Sequence, residues 1–424
     1  MNPNTMTFKT VFSAEYQMSH FREAVYQIFA DTRLEAGLDK GQTVARSYAS
    51  DVQVNDMGAD GSYSTQAIVD TQETLVINKE KEASIYIKKL DQLQAHLPLK
   101  QKYGRKLANA LINQIDGDVL LAMYVGAGTA IDDGTFGGTA DNGFDVTASN
   151  VATVFTMAMQ KLRLKNVVYY NRFKAGVKLE IPEGMPSAAI TAEVLTAIEL
   201  YLGGKDTLLG DKTSSNGYTG YFHGFECFLS NALPWTATLE LPTIPTATDT
   251  LVINGVTLTA AANGAAAAAG EYSISTTVDL AAANLVQLIN GTGTAGASNY
   301  IALSVANRRL LKNITATYDS ATNLLTLVSS GWGNVVVSET FTASGNIFTV
   351  GKQTVKCLFA LAKSASLVVQ KSPDMEENSV SGKIGRDFIA WTVYGIKIFT
   401  DQAPQIVVLS VLATNFTAAS TTPK

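Results

Sequence analysis

The chain has 424 residues, 46% of them hydrophobic and 16% charged, with a net charge of −5. The apolar content can fill a large core spread over two or three domains, while the charged fraction lies below the roughly 25% usual for soluble domains, so partner subunits are expected to cover part of the surface. The charge is spread along the chain, which argues against a sequence-reading nucleic-acid binder with a clustered positive face.

The first segment, MNPNTMTFKTVFSAEYQ, lacks the charged-then-apolar pattern of a signal peptide. No run reaches the roughly 20 apolar residues of a membrane span, so a cytoplasm-like compartment is expected. One helix is predicted around Ser13–Asp31, with Phe21, Val25, Ile28 and Phe29 on one stripe. That is too little for an independent core, and residues 1–50 read as an arm that packs elsewhere.

DVQVNDMGADGSYSTQ, with Gly58 and Gly61, suits a long projecting loop. In TLVINKEKEASIYIKKL, Leu75, Ile77, Ile85 and Ile87 alternate on either side of Lys79–Glu82, which predicts a hairpin with a charged, solvated tip. Residues 98–124 follow. Leu107, Leu111, Ile115 and Val119 recur every four residues, with Lys102, Lys106, Asn109, Asn113 and Asp116 on the other side. The pattern predicts an amphipathic helix of about 40 Å, with Pro98 at its entry. Its last turns, VLLAMYV, are apolar all round and are expected to be buried on every side.

The glycine-rich stretch 126–145 carries Asp132, Asp133, Asp141 and Asp145, which invite a calcium reading. Their spacing misses the D-x-[DN]-x-[DN]-G loop and no bidentate glutamate follows, so no metal is expected there. Neither phosphate-loop glycine pattern is present. Helices are predicted at Ala148–Leu164 and Ala188–Leu202, with short strands VVYYNRF and GVKLEIP between them. SSNGYTGYFHGFECFLSNALPW then reads as a strand entered through a turn at Asn216-Gly217. His223 has no nearby histidine, since the others are His20 and His96, and reads as a polar strand residue. Cys227 and Cys357 read as ordinary reduced core residues.

Pro234, Pro242 and Pro245 mark a change of composition at Thr236. Residues 247–345 are rich in Ala, Thr, Gly and Asn. Asn254-Gly255 predicts a hairpin, Asp279 and Gly291 are expected to cap a short helix, AANGAAAAAG to form a loop, and Asp319–Asn323 a further turn between strands. A mostly β unit of roughly 100 residues is expected, able to fold alone. From residue 353 the earlier composition returns. LFALAKSASLVVQ is apolar, PDMEENSVSGKIGRDF reads as a polar excursion, and IAWTVYGIKIFTDQAPQIVVLSVL supplies two strands. In the first of these, Val393, Gly395, Lys397 and Phe399 face one way and Tyr394, Ile396 and Ile398 the other. TAASTTPK is expected to fray. The unit at 236–352 thus interrupts a host whose two halves complete one sheet.

The order of parts resembles the major capsid protein of tailed bacteriophages, with the Hong Kong phage-type capsid fold. TLVINKEKEASIYIKKLDQLQAH before LANALINQIDGDVLLAM is similar to that family's strand pair and spine helix. NGYTGYFHGFECFLSNALP is similar to its glycine-punctuated strand. LFALAKSASLVVQ and FIAWTVYGIKIFTDQAPQIVVLSV, with Tyr394-Gly395, are similar to its closing strands. The resemblance covers residues 1–235 and 353–424. It implies an α+β chain divided as N-terminal arm 1–50, extended loop and peripheral strands 51–97, spine helix 98–124, axial domain 125–235, inserted β-rich domain 236–352 and returning strands 353–424. It further implies a structural protein that is not an enzyme and has no catalytic, cofactor-binding or metal site. Pentamers and hexamers of this chain would build an icosahedral shell around double-stranded DNA. Its partners would be its own copies, separate scaffolding and portal proteins, decoration proteins and non-specifically contacted DNA, with no membrane. The place would be the virion capsid, assembled in the host bacterial cytoplasm. The rival readings are a cellular nanocompartment shell of the same fold and a β-rich phage surface or tail protein.

Overall fold

A computed structural model describes residues 24–34, 41–49, 52, 54–57, 59–63, 65–67, 70–89, 99–165, 167, 186–205, 221–330, 336–348, 350–380 and 382–413. Most of the predicted helix at Ser13–Asp31, nearly all of VVYYNRF, all of GVKLEIP, the Asn216-Gly217 turn and the tail lie outside these residues.

In chain order the elements are α1 (Tyr26–Phe29), β1 (Ala30–Asp31), β2 (Thr43–Ala49), β3 (Asp70–Val76), β4 (Lys79–Lys88), the long α2 (Leu99–Gly126), β5 (Thr129–Ile131), α3 (Val151–Leu164), β6 (Pro186–Ile190), α4 (Ala192–Gly203), β7 (Tyr221–Phe222), β8 (Phe225–Leu229) and β9 (Trp235–Glu240). Then come β10 (Thr250–Ile253), β11 (Val256–Ala261), β12 (Glu271–Ser273), α5 (Val278–Asn290), α6 (Val305–Leu310), β13 (Ile314–Asp319), β14 (Leu324–Ser329), β15 (Val337–Glu339) and β16 (Ile347–Phe348). The chain closes with β17 (Thr354–Leu361), β18 (Ala365–Ser379), β19 (Gly385–Lys397) and β20 (Ile406–Leu412).

The helix predicted at 98–124 is present, and its every-fourth-residue stripe is its buried side. Leu107 and Leu111 pack on Phe388, Ala390, Ala83, Ile85 and Ile87, while Ile115, Val119, Leu120 and Met123 enter the largest core. One helix therefore spans two packing clusters. Its final turn departs from expectation, because Val125 is 74% exposed and only one side of that turn meets the core.

The hairpin predicted across Lys79–Glu82 does not form. β3 pairs with β2, from Thr43 opposite Val76 to Ala49 opposite Asp70, and β4 pairs instead with β19, from Gly385 opposite Lys88 to Tyr394 opposite Lys79. Lys-Glu-Lys-Glu contains no residue suited to a tight reversal, so the alternation runs straight on. The chain crosses between the two pairings at Ile77 and Asn78, and Leu75 and Ile77 pack in a different cluster from Ile85 and Ile87.

The polar excursion after residue 372 is also strand. β18 and β19 form one long antiparallel hairpin in the sheet β1-β18-β19-β4. Two register shifts interrupt the pairing, between Val369 and Lys371 and between Lys371 and Asp374, and the second spans Pro373, a residue with no N–H for a ladder. Tyr394, Ile396 and Ile398 face the main core and Val393 and Phe399 the opposite cluster, as the alternation predicted.

Among the described residues a ten-stranded sheet joins both halves of the chain. β17 lies between β6 and β20 and also pairs with β9, which pairs in turn with β14. Phe155 of α3 packs edge-on against Phe222, Phe225 and Phe359 to fill this core. Two local expectations shift here. Ser187–Ile190 belong to a buried strand ahead of α4, whose cap is Thr191, accepting from the Val194 N–H at 3.3 Å. His223 is not a strand residue, since His223-Gly224, at φ 48° and 89°, form the two-residue turn between β7 and β8.

Residues 236–348 surround a second cluster that includes Trp235, Leu251, Leu258, Tyr272, Leu285 and Leu327. Asn254-Gly255 turn β10 into β11 with φ 50° and 79°, as expected, and Asn323 at φ 54° closes the β13–β14 turn. Gly291 stops α5 at φ 65°, but the N-cap is Thr277, which accepts from the Leu280 N–H; Asp279 lies in the first turn.

Candidate assembly surfaces and the buried polar hub

Two buried aspartates, Asp116 and Asp118, lie on α2 inside its apolar half. Asp116 is fully buried and accepts from the backbone N–H groups of Val25 at 3.0 Å and Tyr26 at 2.8 Å. It therefore satisfies amides at the start of α1, which helix geometry leaves without partners. Asp118, 4% exposed, accepts from the Tyr394 hydroxyl at 2.7 Å, the Lys79 ammonium at 3.2 Å and the Gln114 amide at 3.1 Å. Burial first, then the Asp118 charge, pushes the Tyr394 phenol well above its ordinary range, so it stays a donor. These contacts tie the N-terminal segment, β4 and β19 to one turn of the long helix. The sequence reading missed this hub and placed Lys79 at a solvated tip. The available signal was Asp118 itself, a charge immediately before the helix's all-apolar run.

A second buried ion lies on β17. Lys356 is 8% exposed, donates to the Ser410 hydroxyl at 2.8 Å and stands 5.5 Å from the Tyr124 ring centre. Desolvation lowers its pKa to about 8, against the opposing pull of the Asp141 and Asp132 carboxylates.

The residues once considered for chemistry have local duties. Asp132 caps the short 3₁₀ turn Asp133–Phe136 and also accepts from the Asp141 N–H at 2.7 Å, while Asp133 accepts from the Thr139 N–H at 2.8 Å. The backbone thus occupies these carboxylates. Among the described residues no group of three or more His, Cys, Asp or Glu could hold a metal ion. Cys227 and Cys357 are both free, and burial pushes each thiol up to about 12, which leaves them un-ionised and unreactive at neutral pH. His223 is exposed and its pKa is lowered by partial desolvation. Among the described residues no helix is long and apolar enough to cross a membrane.

Several large apolar side chains among the described residues are exposed. Val52, Val54, Met57 and Tyr63, between β2 and β3, are 75%, 99%, 72% and 81% exposed. Ile384, at the tip of the β18–β19 hairpin, is 81% exposed.

No family model matches the sequence, and no curated protein is similar to it. Solved structures do match from end to end. A chain from Mycobacterium phage Che8 is 15% identical with a TM-score of 0.55, over 98% of this chain and 99% of that one. A chain from the capsid of cyanophage P-SCSP1u is 12% identical with a TM-score of 0.52, over 97% and 96%. The class is therefore an α+β shell-protein fold. It is the tailed-phage capsid fold that the order of segments implies.

Proposed function

We propose that this chain is a major capsid protein. It assembles into pentamers and hexamers of an icosahedral shell that encloses double-stranded DNA, and it acts by assembly rather than catalysis. The observation that carries the reading is the end-to-end correspondence with phage chains, including that of the P-SCSP1u capsid, over nearly the whole of both molecules. The exposed apolar residues between β2 and β3 support it, because a shell supplies a neighbouring subunit to cover them. Residues 1–50 act as an arm beneath one neighbour, 51–97 reach over another, and α2 is the spine. Residues 125–235 cluster at the symmetry axes, 236–352 form the insertion, and 353–424 complete both sheets. Many modest contacts repeated around each subunit hold the shell through multivalency. Scaffolding, portal and decoration proteins are separate partners, and the site of assembly is the cytoplasm of a bacterial host.

The test is negative-stain electron microscopy of the expressed chain, alone and with its scaffolding protein. Closed shells of capsid size support the reading. Small shells packed with enzyme support a nanocompartment instead, and a stable monomer or trimer under assembly conditions supports a surface or tail protein.

A further inference from the structure

The sheet formed by β18, β19 and β4 turns one face away from α2, and that face carries opposite charge at its two ends. Towards its root, Glu80 stands opposite Val393, Glu82 and Asp374 flank Trp391, and Glu376 stands opposite Ile389. All four carboxylates are exposed, around a half-buried tryptophan. Lys371 answers one of them, pairing with Asp374 at 3.3 Å and standing 4.8 Å from the Trp391 ring centre. The Trp391 indole N–H donates to Glu376 at 2.8 Å. Among the described residues Glu80, Glu82 and Glu376 have no cation partner.

The tip of the β18–β19 hairpin is the cationic end. Lys88 stands opposite Gly385, the Lys89 N–H donates to the Ile384 carbonyl at 3.2 Å, and the Lys383 ammonium lies 5.5 Å from the Tyr86 ring centre. Three lysines thus surround one turn. All are exposed, and none forms an ion pair among the described residues. Arg386 beside them is already paired with Glu377, and the half-buried Asp387, opposite Tyr86, returns one negative charge. Ile384, at the centre of this group, is 81% exposed. Glu82 and Lys88 lie on one straight strand about 20 Å apart, at roughly 3.3 Å per residue. Screening at physiological salt acts over roughly 8 Å, so the two ends do not neutralise each other within one chain.

A second copy can neutralise both ends at once, because each copy has a tip to give and a face to receive one. The other anion a neighbour offers is its segment between Arg46 and Lys79, which holds five carboxylates and no cation. Those five are spread from Asp51 to Glu73, and the exposed Val52, Val54, Met57 and Tyr63 among them call for a broad apolar receptor. The tip offers a single large apolar side chain. The face matches it better, with three unanswered carboxylates on two strands around one tryptophan. We propose that the β18–β19 tip of one copy docks on the acidic face around Trp391 of a second copy. Lys88, Lys89 and Lys383 meet Glu80, Glu82 and Glu376, and Ile384 covers Trp391, a residue type that commonly anchors interfaces. The contact deepens the capsid reading and rests on it for its setting, since a shell places a copy beside every subunit.

The test is a charge swap. Lys88→Glu/Lys383→Glu reverses the tip, Glu80→Lys/Glu82→Lys reverses the face, and a fourfold variant carries both changes. The two single-surface variants move net charge equally in opposite directions, and the fourfold variant restores it. All four side chains are exposed, so the circular dichroism spectrum and unfolding midpoint are expected to stay those of the wild type. Particle yield is scored by sedimentation and microscopy. It is expected to fall by about tenfold or more in each single-surface variant, where like charges face each other across the contact. The fourfold variant, whose charges are again complementary, is expected to recover to within about threefold of the wild type.

Normal assembly by either single-surface variant overturns the proposal; if only the tip variant fails, the tip meets a different anion, such as a neighbour's segment before β3. A fourfold variant no better than the single-surface ones overturns it as well. A wild type that forms no shells removes the capsid reading, and the contact is then read from sedimentation velocity of the subunit at low salt. An oligomer that either single-surface variant disperses and the fourfold variant restores upholds the contact without the shell. A monomer throughout overturns both.

Discussion

Two buried ions respond differently to substitution because their surroundings differ. Lys356 has one neutral hydroxyl partner, and burial holds its pKa at about 8 against an ordinary 10.5. Below pH 8 the amine is charged in both folded and unfolded chains, and the folded state bears the cost of burying that charge. Between 8 and 10.5 the unfolded chain binds more protons, so stability rises with pH through this window. Lys356→Met is therefore expected to stabilise the subunit at pH 7 by about 1–2 kcal/mol, with the gain shrinking towards pH 10. Thermal unfolding at a series of pH values measures this, and a gain that does not change with pH contradicts it. Asp118 has three donors, and its loss strands them. Asp118→Asn is expected to cost about 2–4 kcal/mol in urea unfolding, because the carboxylate that holds the partly buried Lys79 ammonium is gone. Tyr394→Phe removes the shortest of the three bonds, at 2.7 Å. A double-mutant cycle between the two should reveal coupling, and simple additivity would mean that the hydroxyl does not depend on the charge.

Gly395 shows how a single position sets the path of a whole element. It lies on β19 where the chain crosses from β3 to β4, and a Cβ there would come within 2.6 Å of the Val76 carbonyl oxygen and 2.8 Å of the Leu75 side chain. The crossing segment can lie on the sheet only because that atom is absent. Gly395→Ala is expected to destabilise the subunit by about 1–3 kcal/mol and to raise proteolysis near Ile77, since Val76 must move. An unaltered cleavage pattern would show that the segment adjusts freely. This crossing also marks what was legible in the sequence. Local period was readable, because helical and strand spacing follow from side-chain geometry alone: α2, the alternation of β19 and the Asn254-Gly255 turn all lie where the residues placed them. Pairing was not readable. Leu75 and Ile85 alternate alike whether they face each other or, as they do, join separate sheets, and the choice depends on β2 and β19, distant in sequence. His223 is similar, since a left-handed turn at a non-glycine residue is set by the strands around it. The polar hub escaped notice because Lys79, Asp118 and Tyr394 carry no spacing that joins them.

At the scale of the molecule, two apolar cores are fused through one sheet. β9 hydrogen-bonds to both β17 and β14, the Thr236 and Thr354 hydroxyls lie 2.8 Å apart, and Val355 packs against both clusters. A load on the second core therefore passes into the ten-stranded sheet rather than into a hinge. Val52, Val54, Met57 and Tyr63, between β2 and β3, are exposed and belong to neither core, so their substitution should leave both cores untouched. The capsid reading then separates folding from assembly. Val54→Asp/Met57→Asp is expected to keep the circular dichroism spectrum and unfolding midpoint of the wild-type subunit, because both side chains are largely exposed, at 99% and 72%. In a shell the same two positions would place charge against a neighbour's surface, where an unpaired buried charge is strongly unfavourable, and repetition multiplies the effect over every subunit. Particle yield, measured by sedimentation and microscopy, should fall at least tenfold, a loss that corresponds to only about 1.4 kcal/mol per subunit. A variant that assembles normally would take this segment out of the subunit interface, and one that fails to fold would place it in a core.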